Sequence, residues 1–165
     1  MNSAGKESRG YCHYKNVNGI KRHLAVDNLG IPFFVNCTKA SVSDNAGLIE
    51  MFSRNIEYFK KKPMNEKKIT ILLDNGYSID KLSEGLKKIY PKIMSKIRLK
   101  LSPKPKSDKV KGFKPIRGRW IVERSNSWMG KCKSLVKNFD RTLEHSETKI
   151  NLCFSRLMIK RLAKI

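Results

Sequence analysis

Ile69-Thr70-Ile71-Leu72-Leu73-Asp74-Asn75-Gly76 is the stretch on which the fold turns. The apolar run Ile69 to Leu73 is β-branched in part and ends in Asp-Asn-Gly, which suits a buried central strand followed by a tight turn. Working outward, Ser43 and Asp44 offer an N-cap, after which Leu48, Ile49, Phe52, Ile56 and Phe59 recur at helical spacing until Lys60 to Pro63 stop the run. Beyond the turn, Leu82, Leu86 and Ile89 mark one side of a helix from Ile79 to Ile89, and Ile97, Leu99 and Leu101 alternate with Arg98 and Lys100 as a half-exposed strand does.

Further out, Ile20, Leu24 and Val26, the turn residues Asn28-Leu29-Gly30 and the apolar run Ile31 to Val35 spell a hairpin. Met1 to Asn18 is rich in Gly, Ser, Asn and Lys, has no apolar period, and reads as an unpacked lead-in. Ser102 to Pro115 is a Lys/Pro-rich loop, and its Lys104 to Lys114 segment is a candidate DNA contact. Two helices close the chain, Gly118 to about Asn138 and about Ser146 to the end, the last with an inward stripe of Ile150, Phe154, Leu157, Met158 and Ile165. The order hairpin, helix, strand, helix, strand, helices describes an α/β domain whose mixed sheet is covered by helices. At 165 residues one domain is expected, occupying 19–165 behind the 1–18 lead-in.

Lys plus Arg number 36 against 14 Asp plus Glu, a net charge of +22, so the chain calls for a polyanionic partner, nucleic acid or an anionic membrane face. No apolar run approaches the roughly 20 residues that span a bilayer, and the start lacks the apolar segment of a signal peptide, so an intracellular, cytoplasmic protein is expected. Cys12, Cys37, Cys132 and Cys153 are scattered, without a CxxC pair, and read as reduced thiols rather than a disulfide framework or a zinc site.

Carboxylates are scarce here, which makes their placement informative. Metal-dependent phosphoryl transfer needs two or three of them converging, so that ions about 3.5–4 Å apart hold both the attacking and the leaving oxygen. Asp74 ends the most apolar strand, where open α/β sheets gather ligands, although Asp-Asn-Gly reads on its own as ordinary turn chemistry. Glu123 lies off the core stripe Ile121, Trp128, Cys132 and Leu135, and with Arg119 and Arg124 as neighbours it reads on its own as a helix salt bridge.

The segment Arg119 to Leu135, RWIVERSNSWMGKCKSL, resembles the R-W-x-V-E-R…W-x-x-R/K-C-R/K-x-L helix of DDE transposases in the insertion-sequence-five-like branch. Leu72 to Tyr77, LLDNGY, is similar to their A-D-x-G-Y strand end, and Gly19 to Val35, GIKRHLAVDNLGIPFFV, to their G-x-K-R-H-x-x-V-D-x-x-G-x-P hairpin. Thr38 to Asp44 and the closing KINLCFSRLMIKRLAKI fit the same pattern, so the likeness is collinear from Gly19 to Ile165. The resemblance implies a ribonuclease-H-like sheet, with Asp74 and Glu123 as the second and third carboxylates of a Mg²⁺ or Mn²⁺ site. It also implies DNA contacts from Arg119, Arg124 and Lys131, with Lys21 and Arg22 of the hairpin as further basic candidates, and double-stranded DNA at insertion-sequence ends as substrate.

In that family the first Asp lies on a strand before the hairpin, and nothing ahead of Gly19 matches it. The expectation is therefore a truncated catalytic domain without its first strand, completed by an upstream frame or a second copy, and inactive alone. Asp27 matches a different family position, at the far end of a strand that turns away from the metals, and His13 and His23 read as structural or exposed. The competing reading is a non-catalytic basic nucleic-acid-binding protein, or a transposase remnant that keeps only charge. Asp74 and Glu123, 49 residues apart at the two family positions, discriminate, since a binder has no use for carboxylates among so many cations. A membrane-surface helix is a third reading, but the apolar face of the last helix is better explained as core.

Overall fold

The computed structural model describes residues 6–63, 66–103 and 118–163, apart from the side chains of Lys6 and Arg119. They form two compact units, Met1–Ser43 with Ile121–Ile165 and Asp44–Trp120.

The first unit is built on the expected hairpin. Strands β2 (Val17–Val26) and β3 (Pro32–Lys39) pair antiparallel with Leu24 opposite Val35 and Arg22 opposite Cys37. Asp27 closes the turn: its Oδ1 accepts from the N–H of Leu29 at 2.9 Å and of Ile31 at 2.8 Å. Gly30 takes φ 78°, a conformation open to glycine and costly for residues with a Cβ. Cys37 packs with Ile150 and Phe154 of α7 (Leu143–Leu162), Met129 of α5 (Arg119–Gly130) and Leu135 of α6 (Lys133–Val136). Glu147 of α7 is buried against β3, where its Oε1 accepts from the Cys37 N–H at 2.8 Å.

Part of the supposed lead-in is packed. Residues Lys6–Ser8 form a 3₁₀ turn, and β1 (Gly10–Cys12) pairs antiparallel with Val17–Gly19 on the outer edge of β2. Ser8 Oγ donates to the Arg141 carbonyl at 2.8 Å, and a Cβ on Gly10 would stand 2.5 Å from Ser41 Oγ. A three-residue edge strand is held by backbone pairing and close approach, neither of which leaves an apolar period. The single helix expected over 118–138 breaks at Cys132, which is extended at φ −89°, ψ 103°. The last helix starts at Leu143 under a Thr142 cap, and its inward residues are Ile150, Phe154 and the half-buried Leu157. Met158 faces solvent and Ile165 lies outside the described residues.

In the second unit, β4 (Ile69–Leu73) and β5 (Ile97–Leu101) run parallel, in register from Ile69 opposite Ile97 to Leu73 opposite Leu101. Helices α1 (Asp44–Arg54), α2 (Ile56–Lys61), α3 (Ile79–Ile89) and α4 (Ile93–Lys96) supply Leu48, Met51, Phe52, Phe59, Leu82, Leu86 and Ile93 to the core, with the Phe52 and Phe59 rings stacked at 4.8 Å. The one helix expected over 44–59 is interrupted at Asn55, whose side chain donates to the Met51 carbonyl at 2.8 Å. The short α4 was not foreseen; its Lys96 is buried, donating Nζ to the carbonyls of Lys60 and Lys62.

Strand β4 is not the fully buried strand its composition suggests. Leu73 is buried, but Thr70 and Leu72 face outward, Leu72 at 45 % exposure, and β5 is its ladder partner among the described residues. The protein is mixed α/β, and among the described residues its ladders form two sheets, β1-β2-β3 antiparallel and β4-β5 parallel, rather than one.

Candidate active site

Asp74 follows β4 directly and is exposed. Its Oδ1 accepts from the Asn75 N–H at 2.8 Å and its carbonyl from the Tyr77 N–H at 3.2 Å, so the expected tight turn is present. Ser78 then caps α3, and its own N–H donates to Asn45 Oδ1 at 3.2 Å, tying this turn to the start of α1. Burial pushes the Tyr77 phenol up from its ordinary 10.0, and the charges of Asp44 and Asp74 push the same way, so both carboxylates act on one hydroxyl. The carboxyl ends of parallel strands are where loops part and ligands enter, which places Asp74 at the chemically open end of the unit.

Two further residues gather there that the sequence reading did not single out. The Ser102 N–H donates to the Leu73 carbonyl at 2.7 Å, extending the parallel ladder by one and setting Ser102 beside Asp74. Its hydroxyl is buried and has no hydrogen-bond partner among the described residues. A Cβ on Gly118, at φ 95°, would meet Leu72 Cδ2 at 2.7 Å, so the residue preceding α5 lies over the last exposed residue of β4.

Glu123 is exposed on α5. That helix is fixed to the hairpin turn by buried Ser125, whose Oγ lies 2.7 Å from the Gly30 carbonyl and 3.0 Å from that of Ile121. Arg124 donates to the Asn28 carbonyl at 3.3 Å and lies 5.2 Å from the centre of the Trp128 ring, on which Arg161 packs at 4.2 Å. Arg124 is thus engaged in holding α5 to the turn.

The other basic candidates are dispersed. Lys21 donates Nζ to the Val42 carbonyl at 2.7 Å, whereas Arg22, opposite Cys37, shares the face that α7 covers, so strand alternation sends the two to opposite faces. Lys131 is exposed. The Arg119 side chain and the Lys104 to Lys114 loop lie outside the described residues.

Asp74 offers hard carboxylate oxygens, and the buried hydroxyl of Ser102 adds a polar atom with no partner among the described residues, a donor chemistry that fits Mg²⁺ or Mn²⁺; Glu123, an exposed carboxylate, belongs to the other unit. Among the described residues no group of three or more His, Cys, Asp or Glu is gathered for a metal. The cysteines are free thiols; hydrogen bonding from Ser134 lowers Cys132, while burial beside Cys132 raises Cys153 to about 11. No described helix is long and apolar enough to cross a membrane.

Residues 2–158 match the family described as Transposase DDE domain. No curated protein and no solved structure matches the chain. Domains of that family work on DNA with divalent metals. With nearly its whole length covered, and an aspartate at the open end of its parallel strands, this chain belongs to the DDE transposase domain family.

Proposed function

We propose that this chain forms part of a ribonuclease-H-like catalytic domain of the insertion-sequence-five-like branch, the packed residues of β1 included, cutting and joining double-stranded DNA at insertion-sequence ends. The observation that carries the reading is Asp74 at the carboxyl end of β4, beside β5, within a chain that matches the DDE domain. The order of hairpin, helix, parallel strand, helix, parallel strand supports the fold.

In this reading Asp74 and Glu123 each contribute a carboxylate to divalent cations set against the scissile phosphate. A bound pair of cations would activate the attacking oxygen and stabilise the leaving one. Ser125 and Arg124 fix the helix that presents Glu123, and Lys131, Lys21 and the Lys104 to Lys114 loop neutralise backbone phosphates. Asp74 and Glu123 are the two carboxylates that these residues contribute to the site in this reading.

Anisotropy of a labelled duplex at constant ionic strength tests the assignment. Without Mg²⁺, the Asp74→Asn/Glu123→Gln variant binds as tightly as the wild type or more tightly, since two negative charges are gone. With Mg²⁺ the order reverses, because only the wild type bridges its carboxylates to phosphate through the cation. An order that Mg²⁺ does not change supports the second reading, a non-catalytic basic binder, which the net charge of +22 favours. Mg²⁺-dependent cutting that either substitution abolishes would support the catalytic reading over the binder.

A further inference from the structure

We propose that Ser102 is a positioning residue of the Asp74 site: its hydroxyl hydrogen-bonds the Asp74 carboxylate and fixes which oxygen faces a divalent cation. The inference rests on the reading of Asp74 as a cation ligand. Four observations carry it. The Ser102 N–H prolongs the β4–β5 ladder onto the Leu73 carbonyl at 2.7 Å, so the next pair in the register is Asp74 with Ser102. Pro103 follows and biases Ser102 toward extended backbone, and strand alternation continued through the pair would set Ser102 on the side of Lys100 and Asp74 on the side of Leu72. Those two sides are one face of the sheet, since Leu72 stands opposite Lys100. Finally, Ser102 is only 7 % exposed and its Oγ has no hydrogen-bond partner among the described residues.

A buried hydroxyl without a partner is unfavourable, and such groups are rare in folded chains. Asp74 meanwhile directs one oxygen at the Asn75 N–H. Turning the carboxylate toward a cation gives it a donor in Ser102 and gives the hydroxyl an acceptor, so both gain in the same step. A group that orients a metal-binding carboxylate in this way changes cation affinity by about 10–100-fold.

The test is Mn²⁺ binding followed by electron paramagnetic resonance, with thermal unfolding of the cation-free protein, on the wild type, Ser102→Ala, Ser102→Thr and Asp74→Asn. Ser102→Ala is expected to weaken Mn²⁺ about 10-fold or more while leaving the cation-free melting temperature unchanged or raised, because it deletes an unsatisfied hydroxyl. Ser102→Thr, which keeps the hydroxyl, restores the affinity. Unchanged affinity in Ser102→Ala, with Asp74→Asn weakened, overturns the role of Ser102 alone. Affinity and melting temperature falling together in Ser102→Ala also overturns it, since that is the signature of a structural serine. Mn²⁺ binding indifferent to Asp74→Asn overturns the reading of Asp74 and the proposal with it.

Discussion

Gly30→Ala is the substitution that most sharply tests how α5 is held to the hairpin turn. Gly30 has φ 78°, and a left-handed conformation costs a residue with a Cβ about 1–2 kcal/mol. The added Cβ would also stand 2.9 Å from Ser125 Oγ and 3.3 Å from the Ile121 carbonyl oxygen. The serine hydroxyl must then retreat from the Gly30 carbonyl it bonds at 2.7 Å, and losing a hydrogen bond of this kind costs about 0.5–1.5 kcal/mol. The two effects together predict a loss of about 2–3 kcal/mol, a large share of the roughly 5–15 kcal/mol typical of a folded domain. Urea unfolding followed by circular dichroism reads the loss, and a cycle with Ser125→Ala isolates the contact. Since both single changes break the same bond, the double variant should lose about 1 kcal/mol less than their sum. A Gly30→Ala loss below about 0.5 kcal/mol, or strict additivity in the cycle, would refute the docking of α5 through Ser125.

Two other outcomes follow from the same structure. Glu147→Ala removes the acceptor of the buried Cys37 N–H and should cost about 1.5–3 kcal/mol in the same urea assay, whereas Glu147→Gln, which keeps an acceptor, should cost distinctly less; equal losses would contradict the role of that bond. Because Cys132 is lowered from 9.0 by its Ser134 hydrogen bond and Cys153 is raised to about 11 by burial, thiolate forms on Cys132 first as pH rises, so iodoacetamide at pH 8.5 should label Cys132 well before Cys153 by mass spectrometry.

Elements that bury a regular stripe were legible in the sequence. Strands β4 and β5 and helix α3 stand where Ile69–Leu73, Ile97–Leu101 and Ile79–Ile89 place them, because turn residues and periodicity bound each run. Helix interruptions were not legible, since at Asn55 and Cys132 the apolar spacing carries on across a break made by local backbone bonding. Strand β1 escaped because three residues have no period, and the outward face of β4 because Leu72 carries no mark of its exposure. At the candidate site, Asp74 was legible from its place after an apolar run. Ser102 was not, because its interest lies in a missing partner, which only coordinates reveal.

Paramagnetic broadening by substoichiometric Mn²⁺ tests most directly the proposal that Asp74 and Glu123 both contribute to cation binding. In a nitrogen-15 spectrum, the amides flanking Asp74 and those flanking Glu123 should broaden together at the same Mn²⁺ level, and both effects should vanish in Asp74→Asn. Broadening around Asp74 that leaves the Glu123 helix untouched, or that survives Asp74→Asn, would contradict the account.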